Sequence, residues 1–379
     1  MKIGMVLYPT FGGSGVVGTE LGKALAKKGH EVHFITYSQP VRLGSFRENI
    51  YYHEVSVSNY PLFDYQPYET ELASKMVEVV KYEQLDVLHV HYAIPHASAA
   101  FMAQQILRSQ GIGIPFVTTL HGTDITLVGR DPSFEPVITF CINASNAVTA
   151  VSESLKSSTY EHFKITRPIH VIPNFVVPEN EDEELTQLLR RKYACDGEHI
   201  VCHVSNFRKV KRVEDVLLVF HKVIQVIPCK LILVGDGPER YACEKLCREL
   251  KICDKVIFLG KIRNTSQVLK LADVFLLPSE TESFGLAALE AMAVGVPVIS
   301  SNTGGIPEVN IHGDSGYLSD VGDVDDMAKN MIHLLQLNEL EGFKKRALER
   351  SKVFSLEKIL PEYEKIYVDI INCAKEKTN

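Results

Sequence analysis

The sequence lacks the features that mark membrane, secreted and nucleic-acid-binding proteins. No run approaches the roughly 18 apolar residues that span a bilayer, and residues 1–8 lack the charged segment and long apolar stretch of a signal peptide. The net charge of -7 argues against a general affinity for nucleic acid or anionic lipid. We therefore expect a cytoplasmic protein whose partners are small molecules, with neither nucleic acid nor membrane among them.

Closely spaced cysteine pairs are also missing. None of the eight cysteines forms a C-x-x-C pair, and most lie in apolar segments, where a reduced thiol packs as a small hydrophobe. Cys243 and Cys247, four residues apart on a predicted helix, raise a metal or redox pair as the alternative. No histidine or second cysteine pair has the spacing that such a site needs. The cysteines therefore predict no metal site.

The chain does have length and a regular alternation of segments. With 379 residues, of which 45% are hydrophobic, it can form two domains of ordinary size. The predicted strands are 3–7, 32–36, 87–91, 116–119 and 147–150 in the first half and 200–204, 230–234, 256–259, 274–277 and 296–300 in the second. Strands that alternate with helices predict an α/β fold with parallel sheets, which bind ligands at the carboxyl ends of their strands. Two such sheets imply a cleft between them.

A glycine-rich run follows the first predicted strand and opens a helix over 15–28. Gly13, Gly15 and Gly18 match the G-x-G-x-x-G fingerprint of dinucleotide-binding proteins. That fingerprint requires an acidic residue after the second strand, where this chain has Thr36-Tyr37-Ser38. We therefore interpret the run as a loop whose backbone approaches an anionic group rather than as a nicotinamide site.

The stretch Ser279–Val309 follows the predicted strand 274–277 and begins with a turn that leads into a helix. Its helix starts near Gly285, where free backbone N–H groups and the helix dipole favour an anion such as phosphate. Glu290 lies five residues further on, or roughly 7 to 8 Å along the axis, and Glu282 precedes the helix. Two carboxylates therefore bracket one anion site. A carboxylate accepts two hydroxyl hydrogen bonds at once, which suits the diols of a ribose or a hexose.

Basic residues follow the predicted strand 200–204, in the run S-N-F-R-K-V-K-R. Arg208 and Lys211 stand at the carboxyl end of a buried strand, so we expect them to bind phosphate rather than to form a solvated face. Asp323 and Asp325 form a D-x-D triplet that resembles a metal motif. The triplet begins a predicted helix, and an N-cap with acidic first-turn residues explains it without a metal.

Histidines occur near two strand ends. His121 emerges in T-L-H-G-T-D directly after the strand 116–119, at the edge of the sheet where ligands bind, and this position leaves an ordinary loop histidine and a functional one as alternatives. His89 and His91 alternate on one strand and share a face, and we interpret them as core residues rather than metal ligands.

Several of these motifs, in the same order, resemble the retaining GT-B glycosyltransferases of family 4. They are H-G-T-D, I-P-N, S-N-F-R-K-V-K-R, G-D-G-P, and E-x7-E with the flanking S-F-G and T-G-G-I-P-E. The resemblance implies that Glu282 faces the donor sugar, that Glu290 holds the ribose and that residues 260–263 meet the nucleobase. It places His121 near the donor sugar and the acceptor hydroxyl. The family usually has an arginine five places before the lysine; this chain has Asn206 there, so Arg208 is expected to take over.

The resemblance covers nearly the whole chain and implies two Rossmann-like doubly wound domains facing a central cleft. We expect an N-terminal acceptor domain over 1–172, a nucleotide-sugar donor domain over 173–355, and a C-terminal helix, 356–379, that crosses back to the first domain. The runs L-Y-P-T-F-G-G-S-G-V-V-G-T-E-L-G and H-V-H-Y-A-I-P-H-A are most similar to family members that transfer N-acetylglucosamine from UDP-N-acetylglucosamine to L-malate, with retention, in the first step of bacillithiol biosynthesis.

The expected site follows from these motifs. The catalytic residues are expected to be His121, Glu282, Arg208 and Lys211. The donor is expected to contact Gly13, Ser14, Asn206, Arg208, Lys211, Gly237, Ile262, Glu282, Ser283, Phe284, Gly285, Leu286 and Glu290. The acceptor is expected to contact Ser14, Gly15, Tyr92, Thr123 and Arg130.

No metal and no cofactor is expected, because cationic side chains and a helix dipole can stabilise the leaving diphosphate. The sequence leaves open another sugar or a glycolipid as acceptor. It also leaves open a sugar-nucleotide isomerase or a non-catalytic nucleotide-binding protein on the same fold, as well as a homo-oligomeric state.

Overall fold

The structure, a computed structural model, describes residues 1–44, 47–56, 66–127, 131–177, 182–262, 264–336 and 339–376. The chain forms two compact units, one of Met1–Asn174 with Leu356–Asn379 and one of Phe175–Ser355. The boundary expected between residues 172 and 173 lies two residues before this division. Among the described residues, none of the helices combines the length and apolar character that a membrane crossing requires.

The first unit is built on a parallel sheet of seven strands. They are β1 (Lys2–Val6), β2 (Glu31–Thr36), β3 (Ile50–Glu54), β4 (Val87–His91), β5 (Phe116–Leu120), β6 (Ala147–Ala150) and β7 (Ile169–Val171), in the spatial order β3-β2-β1-β4-β5-β6-β7. Strands β4 and β5 are buried along their whole length. Because β1, β4 and β5 are neighbours, the segments that follow them meet at one edge of the sheet.

Helices cover this sheet. They are α1 (Gly13–Lys27), α2 (Tyr68–Glu83), α3 (Ser98–Ser109), α4 (Glu135–Ala144), α5 (Glu153–His162) and, from the end of the chain, α14 (Leu356–Glu376). Leu72 and Met76 of α2 pack with Leu107 of α3 in one fully buried cluster. Burying each such side chain contributes about 1.5–3 kcal/mol. The last helix completes the same unit, since the Tyr367 hydroxyl lies 2.7 Å from Nδ1 of buried His89.

The second unit repeats the plan with six parallel strands. They are β8 (His199–Val204), β9 (Cys229–Val234), β10 (Val256–Gly260), β11 (Val274–Leu277), β12 (Val298–Ser301) and β13 (Gly316–Ser319), in the order β10-β9-β8-β11-β12-β13. Its helices are α6 (Glu183–Tyr193), α7 (Val213–Val223), α8 (Arg240–Glu249), α9 (Ser266–Leu269), α10 (Leu286–Ala293), α11 (Ile306–Val309), α12 (Val324–Gln336) and α13 (Leu340–Ser351). The core lies between the sheet and helices such as α7 and α12, around Val216, Phe220 and Met331.

The prediction of an α/β fold with two parallel sheets is confirmed. Each predicted strand is present, with ends that differ by at most two residues. Strands β3, β7 and β13 were not predicted from the sequence. The predicted N-cap at Asp323 is also present, because its carboxylate accepts a hydrogen bond of 2.9 Å from the Asp326 backbone N–H.

Candidate active site

The turn before α10 carries Glu282. Gly285 ends this turn with a φ of 92°, a left-handed conformation that glycine adopts without strain. A side chain on Gly304 would put its Cβ 1.9 Å from the Glu282 carbonyl oxygen, and the next backbone N–H, of Gly305, donates to that oxygen at 2.9 Å. The glycines of T-G-G-I-P-E therefore let a second loop support the backbone of Glu282.

Glu282 forms an ion pair with Lys211, which the sequence analysis did not foresee. Nζ of Lys211 lies 2.5 Å from Oε1 of Glu282, and the hydroxyl of buried Ser279 donates to the same oxygen at 3.0 Å. The two side chains are 21% and 13% exposed, so they remain accessible to a ligand. An ammonium that neutralises one carboxylate at this point can also meet the oxygens of a diphosphate.

A buried histidine positions the loop that carries Lys211. Nδ1 of His203 lies 2.8 Å from the Leu276 carbonyl oxygen, which can only accept, so Nδ1 carries the proton. Nε2 then accepts from the Ser205 hydroxyl at 2.8 Å. Burial lowers the pKa of His203 to about 4, which keeps the ring neutral. His203 was not predicted as a site residue because it lies inside a strand, although its position just before the basic run was a signal.

The remaining predicted donor residues of the second unit lie on neighbouring loops. Asn206 and Arg208 are exposed on either side of buried Phe207, and a Cβ on Gly237 would lie 2.0 Å from the Asn206 carbonyl oxygen. The G-D-G-P turn therefore packs on the basic loop. Glu290 lies on α10 within 3.4 Å of the Thr265 hydroxyl. The other predicted members are Ser283, Phe284 and Leu286 at the start of α10, and Ile262, which is half-buried after β10.

In the first unit, predicted residues from three segments meet. The Ser14 hydroxyl, on α1, lies 2.6 Å from the Tyr92 hydroxyl, which follows β4. The Tyr92 and His121 rings are 5.1 Å apart between centroids. Tyr92 has a φ of 85°, which is unfavourable for a residue with a side chain. Gly13 is exposed at the start of α1, and Gly15 is buried two residues later.

His121 is held by His91, which the sequence analysis treated only as a core residue. Nε2 of His121 lies 2.7 Å from Nδ1 of His91, whose Nε2 lies 3.3 Å from the Met5 sulfur. A thioether can only accept, so His91 carries its proton on Nε2 and accepts from Nε2–H of His121. His121 then presents the lone pair of Nδ1. Burial lowers the pKa of His121 to about 3 and that of His91 well below its usual range, so both rings are neutral.

Asp124 ties the two loops together. Its carboxylate accepts hydrogen bonds from the backbone N–H groups of Ala93 at 2.8 Å and Gly122 at 3.0 Å. Burial raises the pKa of Asp124 to about 6, and these hydrogen bonds oppose the rise. The aspartate of H-G-T-D therefore positions the loop of His121. Thr123, between them, is exposed, and Arg130 lies outside the described residues.

The residues weighed as metal ligands have protein partners. Nδ1 and Nε2 of His89 lie 2.7 Å from the hydroxyls of Tyr367 and Thr119. Cys243 and Cys247 are buried, and burial raises the pKa of each thiol to about 12. Both thiols therefore favour the neutral form, which packs as a small hydrophobe. That the protein needs no cofactor stays a prediction.

Comparison with known proteins agrees with this geometry. Residues 11–180 match the family model described as Glycosyltransferase Family 4, and residues 186–350 match that of Glycosyl transferases group 1. The chain is similar to structures of sucrose-phosphate synthase from Thermosynechococcus elongatus, with a TM-score of 0.80 and 21% identity over 98% of this chain and 100% of that one. HepE from Anabaena, solved in complex with UDP and glucose, gives a TM-score of 0.81 and 19% identity over 97% of this chain and 100% of that one.

The chain therefore belongs to the family 4 glycosyltransferases, which have the GT-B fold. A relative named N-acetyl-alpha-D-glucosaminyl L-malate synthase, from Bacillus anthracis, is 50% identical and covers 99% of this chain and 98% of its own length. A second relative, an uncharacterised glycosyltransferase from Methanocaldococcus jannaschii, is 31% identical and covers 83% of this chain and 84% of its own.

Proposed function

We propose that this glycosyltransferase moves N-acetylglucosamine from UDP-N-acetylglucosamine to the hydroxyl of L-malate, with retention, in the first step of bacillithiol biosynthesis. The observation that carries the proposal is the 50% identity, over 99% of the chain, to a protein named as a synthase of the same glucosaminyl malate. The site residues described above supply chemistry that fits this reaction.

The second unit binds the donor in this proposal. Glu290 accepts hydrogen bonds from the ribose hydroxyls and Glu282 from the sugar, because a carboxylate can accept two hydroxyl groups at once. Lys211, Arg208 and the amino end of α10 bind the diphosphate. The helix end contributes backbone N–H groups and the positive end of its dipole.

The first unit binds the acceptor. Malate is a small dianion, and the hydroxyls of Ser14 and Tyr92, which lie 2.6 Å apart, can donate to its carboxylates. The amide of Gly15, the exposed Thr123 and Arg130 complete the proposed acceptor residues. The lone pair on Nδ1 of His121 accepts a hydrogen bond from a hydroxyl of the donor sugar and so orients the sugar beside the acceptor.

The proposed chemistry uses no covalent enzyme intermediate. Glu282 accepts a hydrogen bond from Ser279 and, in this proposal, from hydroxyls of the sugar, which makes it a poor nucleophile toward the anomeric carbon. The bond between the anomeric carbon and the UDP oxygen breaks, and the malate hydroxyl attacks on the same face. The proton of that hydroxyl passes to the phosphate oxygen that leaves. Lys211 stabilises the negative charge that develops on this oxygen in the transition state.

Product analysis tests the proposal. The protein is incubated with UDP-N-acetylglucosamine and a panel of hydroxy acids and sugars, with Glu282→Ala as the inactive control, and products are identified by mass and anomeric proton coupling. We expect an α-linked N-acetylglucosaminyl malate and free UDP. Preferred transfer to another acceptor, or an inverted anomer, contradicts the proposal. Conversion of the donor without an acceptor indicates an isomerase, and binding without turnover indicates a nucleotide sensor.

A further inference from the structure

Two histidines and a glutamate converge at the edge of the first sheet, in a group that shares no residue with the candidate active site. They are His33 of β2, His53 of β3 and Glu83 at the end of α2, and one potential ligand atom of each lies within 4.8 Å of the others. We propose that His33, His53 and Glu83 bind a divalent transition-metal ion, preferably zinc. The proposal is independent of the reaction assigned to the protein.

The fold brings these residues together from distant parts of the chain. In the parallel register His33 lies opposite Tyr51, and Ile35 lies opposite His53, so the two histidines are diagonal neighbours on one face. Their rings stack at 5.2 Å with an angle of 17° between planes. Helix α2 packs over the sheet at β2 and delivers Glu83 from its last turn. The three residues are far apart in the sequence and form no short metal-binding motif, so the site was not predicted from the sequence.

The distances between the ligand atoms suit a metal. Nδ1 of His33 lies 2.9 Å from Nε2 of His53. Two nitrogens that bind one tetrahedral zinc at 2.0–2.1 Å are roughly 3.3 Å apart, so a shift of a few tenths of an ångström would accommodate the ion. Two imidazoles and one carboxylate form a donor set that proteins use for zinc, whereas magnesium and calcium prefer oxygen ligands alone.

The environment of His33 also favours a ligand role. His33 is fully buried, and its Nδ1 points at Nε2 of His53, so both nitrogens face the place where the ion would bind. His53 and Glu83 are half-buried, so an ion can enter from their side.

A metal at this place would link an edge strand to the helix above the sheet. Among the described strands β3 pairs with β2 alone, and three of its five residues are exposed. An ion bound by His33, His53 and Glu83 would connect β2, β3 and α2, and so would stabilise the folded first unit by binding it and not the unfolded chain. We therefore assign the ion a structural role and expect no effect of it on turnover.

Metal binding measured on purified protein tests the proposal. The full chain is treated with a chelator, desalted and titrated with zinc chloride and with cobalt chloride. Mass spectrometry of bound metal, cobalt absorption bands and thermal unfolding are recorded. The test variants are His53→Gln and the nearly isosteric Glu83→Gln. The matched control is His170→Gln, which removes an exposed histidine from the strand at the opposite edge of the sheet.

We expect one equivalent of zinc and a rise in melting temperature with zinc in the wild type and in His170→Gln. Affinity should fall at least about tenfold in Glu83→Gln and further in His53→Gln, since each loses a ligand. If His53→Gln does not fold, the zinc affinity of Glu83→Gln still tests the proposal. The proposal is wrong if the wild type binds no zinc at micromolar concentration. It is equally wrong if both variants bind zinc as tightly as His170→Gln, which would place the ion on other groups such as the exposed cysteines.

Discussion

The two units hold their candidate site residues in different ways. In the second unit two of the predicted donor residues, Lys211 and Glu282, form a charged pair. In the first unit the corresponding contacts are neutral, from His91 to His121 and from Ser14 to Tyr92. Both arrangements are partly buried, so the difference lies in charge rather than in exposure.

This difference matches the ligands that we propose for the two units. A mobile ammonium can exchange a carboxylate partner for a diphosphate, and its attraction for negative charge grows as the leaving oxygen becomes charged. The hydrogen bonds of neutral, buried groups do not strengthen in this way when charge develops on the substrate. They fix geometry, and they depend on the protonation state of the histidines. Charge substitutions should therefore affect the second unit most, and acidification the first.

The largest effect is expected for Lys211→Ala. Turnover should fall on the order of 10² or more, by analogy with removal of one oxyanion donor, while donor affinity changes less. The measurement is kcat together with the dissociation constant of UDP-N-acetylglucosamine. Lys209→Ala, which removes an exposed lysine of the same loop, is the control and should be near wild type. Equal losses in kcat and affinity for Lys211→Ala, or a trapped glycosyl adduct on Glu282, would contradict the assigned role.

Acidification should destabilise the first unit more than the second. Burial lowers the pKa of His89 to about 3 and of His96 to about 4, from 6.5 in the unfolded chain. Above pH 6.5 both histidines are neutral in the folded and the unfolded chain. As the pH falls from 6.5 toward 4 and 3, the unfolded chain binds protons that the folded chain does not, so the free energy of unfolding decreases. At pH 5 each costs roughly 2 kcal/mol relative to pH 7. Asp124, whose pKa is raised, offsets part of this loss between pH 6 and 4. In the second unit, within the described residues, only His203 shows such a lowering.

Hydrogen exchange at pH 7 and pH 5, corrected for intrinsic rates, resolves the two units. We expect protection to fall more in β4 and β5 than in β8 and β11. His89→Gln should reduce the pH dependence, and His170→Gln, at an exposed position, should not. An equal loss of protection in both units would remove the proposed contrast.

Glu290→Ala should weaken UDP binding at least about tenfold. A hydrogen bond to a charged group contributes roughly 1.5 to 3 kcal/mol, and the substitution removes the proposed ribose contact. Calorimetry with UDP measures the effect, and Glu290→Gln, which keeps one acceptor oxygen, should lose less. An unchanged affinity for UDP in Glu290→Ala would contradict the assignment of Glu290 to the ribose.

Chelation is expected to leave turnover unchanged, because Lys211 and Arg208 carry the charge of the leaving group in our proposal. The assay compares initial rates with and without EDTA after dialysis. Loss of activity that magnesium or manganese restores would contradict the prediction that turnover needs no metal ion. A lower melting temperature at unchanged kcat is the combination that the proposed zinc site predicts.

Most of the fold follows from local patterns, because central parallel strands are continuous apolar runs. The three missed strands all lie at sheet edges, where one side is open and the residues are polar or few. β3 reads I-Y-Y-H-E, and β7 and β13 have three and four residues. The candidate site residues that belong to short sequence motifs were predicted. The pairings of Lys211 with Glu282 and of His91 with His121 join distant segments, and only the register of neighbouring strands reveals them.

The contact of α14 with β4 affects the order in which the protein can fold during synthesis. Tyr363 and Tyr367 are almost fully buried in the first unit, yet they lie near the end of the chain. Nascent chains that stop before residue 356 should therefore have a protease-sensitive first half and an already resistant second unit. The half that leaves the ribosome first must wait for the last helix before its core closes, so we expect the second unit, made later, to fold earlier.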